Sequence, residues 1–111
     1  MGGVMNQGDV YWYTFKDPDK RRPVLILTRN SAISFLTSLT IAPITTTIRG
    51  IPSEVVLTEV DGLFAACAVN LDNIQTVSKA KFAGYITHLS IGRMHEIRKA
   101  IQFALGFDAI V

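Results

Sequence analysis

The 111-residue chain has one cysteine, two histidines and few charges, Asp, Glu, Lys and Arg together making 18%. A single thiol cannot close an internal disulfide, which fits a reducing cytoplasm. Four Cys and His ligands at workable spacing do not exist, so a zinc site built from them is excluded. No run of about 18 apolar residues is present to span a bilayer, because the long uncharged stretch between Arg29 and Arg49 is broken by Ser, Thr and Pro43. A basic segment followed by an apolar one is missing at the N-terminus, so no secretion signal is expected. Glycine-rich phosphate loops, paired carboxylates at a fixed spacing and HExxH-type motifs are absent as well, and no metal or nucleotide cofactor is expected.

What the chain does have is apolar character: 49% of its residues are hydrophobic, which excludes intrinsic disorder. The length suits one domain, with residues 1–7 as a loose lead-in. Charge is uneven. The first fifty residues carry a balance of +3, through Lys16, Lys20, Arg21, Arg22, Arg29 and Arg49 against three aspartates, and the rest carries −1. This is too mild for a general nucleic-acid coat. The bases at 16–22 fit an ordinary solvated turn as well as a phosphate contact.

From Gly8 the chain reads as strands. Asp9-Val-Tyr-Trp-Tyr-Thr-Phe15 is aromatic and β-branched, and alternation puts Val10, Trp12 and Thr14 on one face and Tyr11, Tyr13 and Phe15 on the other. Both faces are apolar, so this strand is either covered twice or meets a partner chain. Residues 16–22 read as a turn punctuated by Pro18 and its flanking aspartates. Pro23-Val-Leu-Ile-Leu-Thr28 is a short apolar run of strand length. A short helical turn is expected within residues 29–36, capped by Asn30 or Ser31. Residues 39–46 read as a third strand, with Pro43 at a bulge or edge. Glu54-Val-Val-Leu-Thr58, Cys67-Ala-Val-Asn70 and Ile74-Gln-Thr-Val77 supply further strands, with a turn at Asp61-Gly62.

The end of the chain is different. Ser90 is an N-cap candidate, Ile91, Met94, Ile97, Ile101 and Leu105 recur every three or four residues, and Gly106 offers a left-handed stop. Strands followed by one closing amphipathic helix predict a mainly β fold, a small barrel with a helix against it.

Chemistry has few places to sit. His88 and His95 both lie near the terminal helix, with no partner group to converge on. Cys67, between two alanines, reads as an inert buried thiol. What remains is Arg21-Arg22-Pro23 entering one strand and Pro43-Ile44-Thr45-Thr46-Thr47 leaving another. A guanidinium clasps phosphate oxygens with parallel N–H bonds, and threonine hydroxyls add neutral donors. Such a pair stabilises a phosphorane-like transition state without metal. On spacing alone it is equally a capped strand and a hydroxyl-rich turn.

Five segments in order then resemble one family. Gly8-Asp-Val-Tyr-Trp12, Arg22-Pro-Val-Leu-Ile-Leu27, Ala42-Pro-Ile-Thr-Thr46, Pro52-Ser-Glu-Val-Val-Leu57 and Val69-Asn-Leu-Asp-Asn-Ile-Gln-Thr-Val77 are similar to the MazF/PemK (Kid) toxin endoribonucleases. Ile86-Thr-His-Leu-Ser90 and the helix to Gly106 resemble its C-terminus, so the likeness covers residues 8–107. It implies an SH3-like barrel of the CcdB/PemK type with a C-terminal helix, a cytoplasmic homodimer, and a cognate antitoxin through whose complex DNA is bound. It also implies metal-independent cutting of single-stranded RNA to 2′,3′-cyclic phosphate and 5′-hydroxyl ends. By the resemblance Arg22 and Thr45 carry the reaction, the general base being unassigned, and Lys20, Arg21, Thr46, Asp72 and Asn73 contact RNA.

The chain departs from the family between the first two strands. Residues 16–21 replace a longer loop with a Gly-x-Glu motif, and no glutamate is present here. Two other readings share the barrel: a CcdB-like gyrase poison, and a binding module that does not cleave. The doubly apolar first strand, the mean hydropathy of +0.31 and the small size predict surface buried beyond one core, hence a homodimer.

Overall fold

The computed structural model describes residues 4–16 and 20–109. Seven strands are found among them, β1 (Asp9–Lys16), β2 (Lys20–Ile26), β3 (Ser38–Thr45), β4 (Glu54–Leu57), β5 (Cys67–Asn70), β6 (Gln75–Ser78) and β7 (Phe82–His88). A one-turn helix α1 (Asn30–Ile33) and a long helix α2 (Ile91–Ala104) complete the main elements. All strand pairs are antiparallel, in the order β4-β5-β3-β2-β1-β7, with β6 added to β3. The chain therefore forms the expected mainly β fold closed by a C-terminal helix.

β3 organises the sheet. One side pairs with β2 through Val24↔Pro43, Leu25↔Ala42 and Ile26↔Ile41. The other side pairs first with β6 over residues 38–41 and then with β5 at Ile44 and Thr45. Pro43 is buried inside this strand, neither at an edge nor at a bulge. It is tolerated because it falls where β3 passes from one neighbour to the other, so its missing N–H breaks no ladder bond on that side.

The apolar character of both faces of β1 is explained within one chain. Val10, Leu25, Ala42, Ile44 and Val69 form a core on one face with Leu89, Ile97 and Ala100. Tyr11, Tyr13, Val24, Ile26, Leu39 and Ile41 form a second core on the other. Each fully buried aliphatic side chain contributes about 1.5–3 kcal/mol. The strand is thus covered twice, and it supplies no argument for a partner.

Two local expectations are corrected. Residues 17–19, where Pro18 was to make the turn, lie outside the described residues. Lys20, Arg21 and Arg22 belong to β2 and not to that turn. Arg29 occupies the N-cap of α1 without a side-chain bond, because Asn30 Oδ1 accepts from the Gln7 N–H instead. β7 was not expected from the sequence: Gly84 interrupts its alternation and its register against β1 shifts twice.

α2 begins and ends as its sequence predicts. Ser90 Oγ accepts the Arg93 N–H at 3.2 Å, and Gly106 takes φ +78° just past the end. Ile97 is buried, but the ends of the apolar stripe, Ile91 and Leu105, are exposed. The helix is pinned by charge: the Arg93 guanidinium donates to both oxygens of Asp61, at 2.9 and 3.1 Å, from Nε and Nη2. Asp61 also accepts the Thr58 N–H, forming a capping box around the 3₁₀ turn Glu59–Asp61. These bonds hold the Asp61 carboxyl below its ordinary range and raise Arg93 further.

Candidate active site

The β2–β3 pairing ends at Val24↔Pro43, and strand alternation gives Arg22 the face of Val24 and Thr45 the face of Pro43. Beyond this pair a cavity of about 380 Å³ opens. Arg22 and Thr45 both line it, with Pro43 and Ile44.

Other elements bring the rest. β4 pairs with β5 so that Glu54 lies opposite Asn70, and both line the cavity. Asn73 and Gln75 come from the turn after β5 and the start of β6, Phe15 from β1, and Thr47 and Arg49 from the loop after β3.

The hydrogen bonds fix several of these groups. Thr45 Oγ1 accepts the Thr47 N–H at 3.1 Å, which leaves the hydroxyl proton to be donated elsewhere. Glu54 Oε1 accepts two consecutive backbone N–H groups, from Arg49 at 2.9 Å and Gly50 at 3.1 Å. Gly50 has φ +71°, a backbone that favours glycine, and this turn aims both amides at one oxygen. Asn70 Oδ1 caps the Leu71–Asn73 turn by accepting the Asp72 N–H at 3.0 Å.

Among the described residues two guanidiniums and one carboxylate line the cavity, a balance that favours an anion. Neither Arg22 nor Arg49 forms an ion pair among the described residues. In this water-exposed rim a phosphodiester can accept parallel N–H bonds from Arg22 and a hydroxyl proton from Thr45.

The expected RNA contacts are not all gathered here. Asn73 lines the cavity. Thr46 lines a neighbouring apolar cleft with Trp12, Pro23, Leu63, Phe64 and Cys67, and Thr45 borders both spaces. At the mouth of that cleft Trp12 stacks on Phe64, and the Arg21 guanidinium lies 5.3 Å from the Trp12 ring. Lys20 is exposed at the start of β2. Asp72 does not line the cavity: its Oδ2 accepts the hydroxyl of buried Ser53, which ties the Leu71–Asn73 turn to the segment before β4.

Neither histidine lines it. His88 Nδ1 lies 2.7 Å from Asp9 Oδ1 on another part of the surface, and His95 is exposed on α2. Cys67 is buried, and burial pushes its thiol up, away from the reactive thiolate. No three His, Cys, Asp or Glu come together as a metal site among the described residues. No helix there is long and apolar enough to cross a membrane.

Sequence reasoning did not single out Arg49, Glu54, Asn70 or Gln75. Glu54 and Asn70 fall inside segments that carry the family resemblance, but only strand pairing sets them opposite each other. No spacing in the sequence signals this.

A profile of the family described as "PemK-like, MazF-like toxin of type II toxin-antitoxin system" matches residues 6–105. The chain is 41% identical over 93 residues to Endoribonuclease MazF3 of Mycobacterium tuberculosis, covering 84% of this chain and 90% of that protein. It is similar in structure to the Mycobacterium tuberculosis toxin MazF-mt6, with a TM-score of 0.82 at 37% identity, over 88% of this chain and 96% of the other. A mycobacterial endoribonuclease in complex with its cognate antitoxin matches with a TM-score of 0.81 at 29% identity, over 92% and 95% of the two chains.

Proposed function

The chain belongs to the PemK-like, MazF-like toxins of type II toxin–antitoxin systems, and on that premise we propose that it is an endoribonuclease acting on single-stranded RNA. The reaction is metal-independent internal transesterification, and it leaves a 2′,3′-cyclic phosphate and a 5′-hydroxyl. The observation that carries this reading is that Arg22 and Thr45, 23 positions apart in the chain, line one cavity.

The ribose 2′-oxygen attacks the adjacent phosphorus. Arg22 neutralises the charge that builds on the non-bridging oxygens, and its two parallel N–H bonds strengthen as that charge grows. Thr45 donates a hydrogen bond from its hydroxyl to the same phosphoryl group, while its oxygen accepts the Thr47 N–H. Arginine stays protonated at any ordinary pH, so Arg22 is not the base. DNA has no 2′-hydroxyl and is not cut.

Asn73 serves the bases flanking the scissile phosphate, while Lys20, Arg21 and Thr46 extend the contact along the strand and past the aromatic pair. Asp72 acts at the margin of this surface, held by Ser53. A cognate antitoxin is the partner, as for the similar mycobacterial complex. The toxin works in the cytoplasm, where its RNA is, as a homodimer. Exposed Ile91, Phe103, Leu105 and Phe107 at the ends of α2 are apolar surface that a second copy covers.

Incubation with mixed single-stranded RNA in EDTA tests the reading. Cleavage is expected, lost in both Arg22→Ala and Thr45→Ala and blocked by a 2′-deoxy nucleotide at the cut site. Intact RNA with retained growth arrest overturns it in favour of a gyrase-directed toxin.

A further inference from the structure

We infer that Glu54 is the general base of this site, taking the proton from the attacking 2′-hydroxyl; the inference rests on the ribonuclease reading above. Transesterification requires a proton acceptor at the 2′-oxygen. Among the described residues that line the cavity, Glu54 alone can serve. Arg22 and Arg49 are charged throughout the working pH range, and Thr, Asn and Gln side chains do not take up protons there.

Its setting suits the task. Glu54 is half-buried at the first position of β4, so the sheet fixes its backbone. The two amide donors both fall on Oε1, which fixes the rotation of the carboxylate and leaves Oε2 without a hydrogen-bond donor among the described residues. Arg22 and Arg49 are the other charged groups that line the cavity among the described residues, and their charge suits the phosphate. Asp72, in the adjoining turn, is occupied by Ser53.

The step balances without a cofactor. The 2′-O–H proton passes to Glu54 Oε2 as the 2′-O–P bond forms. The P–O5′ bond breaks, the departing 5′-oxygen takes a proton from water, and Glu54 returns its proton to the resulting hydroxide.

Glu54→Gln tests this, because the glutamine carbonyl still accepts the Arg49 and Gly50 N–H groups. Single-turnover cleavage of an oligoribonucleotide that the wild type cuts is compared with binding of its 2′-deoxy analogue, which is not cleaved. Cleavage is expected to slow by about 10²–10⁴-fold, with binding of the analogue unchanged. The same loss is expected on a substrate with sulfur in place of the bridging 5′-oxygen, since that leaving group needs no acid. Recovery on the sulfur substrate makes Glu54 the acid and overturns the inference, as does a variant that cuts at the wild-type rate.

The wild-type pH profile is an arm independent of the variant's folding. The cleavage rate is expected to fall as the solution is acidified, and a rate independent of pH overturns the assignment. Failure of the wild type to cut any RNA refutes the ribonuclease reading instead, so the two failures are distinguishable.

Discussion

Arg22 and Thr45 line the same cavity, each two residues beyond the Val24↔Pro43 pair that ends the β2–β3 register. Shifting either strand by one residue would turn one of the two side chains to the opposite face. Pro43 falls at the point where β3 changes neighbours.

This arrangement separates charge from geometry. Arg22→Lys keeps the positive charge but loses the fork, and cleavage is expected to fall by about 10²–10³-fold, the cost of one lost transition-state donor. Thr45→Ser is expected to stay within about tenfold of wild type, a difference below 1.4 kcal/mol, whereas Thr45→Val loses the donor and falls as Arg22→Lys does. Single-turnover gels measure all three. An active Thr45→Val excludes the hydroxyl from the reaction.

The Asp61–Arg93 pair predicts a pH dependence of stability. Asp61 has a carboxyl pKa lowered by folding, so its contribution is complete above the ordinary carboxylate range. It is lost as pH falls through the depressed folded value. Asp61→Asn is expected to cost about 1–3 kcal/mol at neutral pH, and the difference should close on acidification. Urea titrations of both proteins at several pH values measure this; a constant gap rules out the linkage.

Salt dependence tests the outlying cations. Lys20→Ala and Arg21→Ala are each expected to reduce the slope of log Kd against log salt for single-stranded RNA by about 0.7. Arg21→Ala also removes the cation over Trp12, the chain's one tryptophan, so its fluorescence is expected to change before RNA is added. Unaltered slopes in both variants place the RNA path elsewhere.

Much of the fold was legible because its signals are local. The 3.6-residue repeat, Ser90 and Gly106 define α2 to within a residue, and Cys67–Asn70 is a strand as read. β7 was not legible: its exposed Tyr85, internal Gly84 and slipping register leave no alternation to detect. The ends of α2 misled in the other direction, since Ile91 and Leu105 continue the apolar stripe past the surface that α2 covers.

The site divides along the same line. Composition, the ordered segments and the strand-end Arg22 and Thr45 were determined by the sequence, because residue type and strand periodicity are properties of short stretches. Which charges share a cavity was decided by tertiary structure alone. Glu54 meets Asn70 through β4–β5 pairing and lines one cavity with Arg22, Thr45 and Arg49, while Asp72 is turned to Ser53. Pairing register acts between residues far apart in the chain, and no local pattern encodes it.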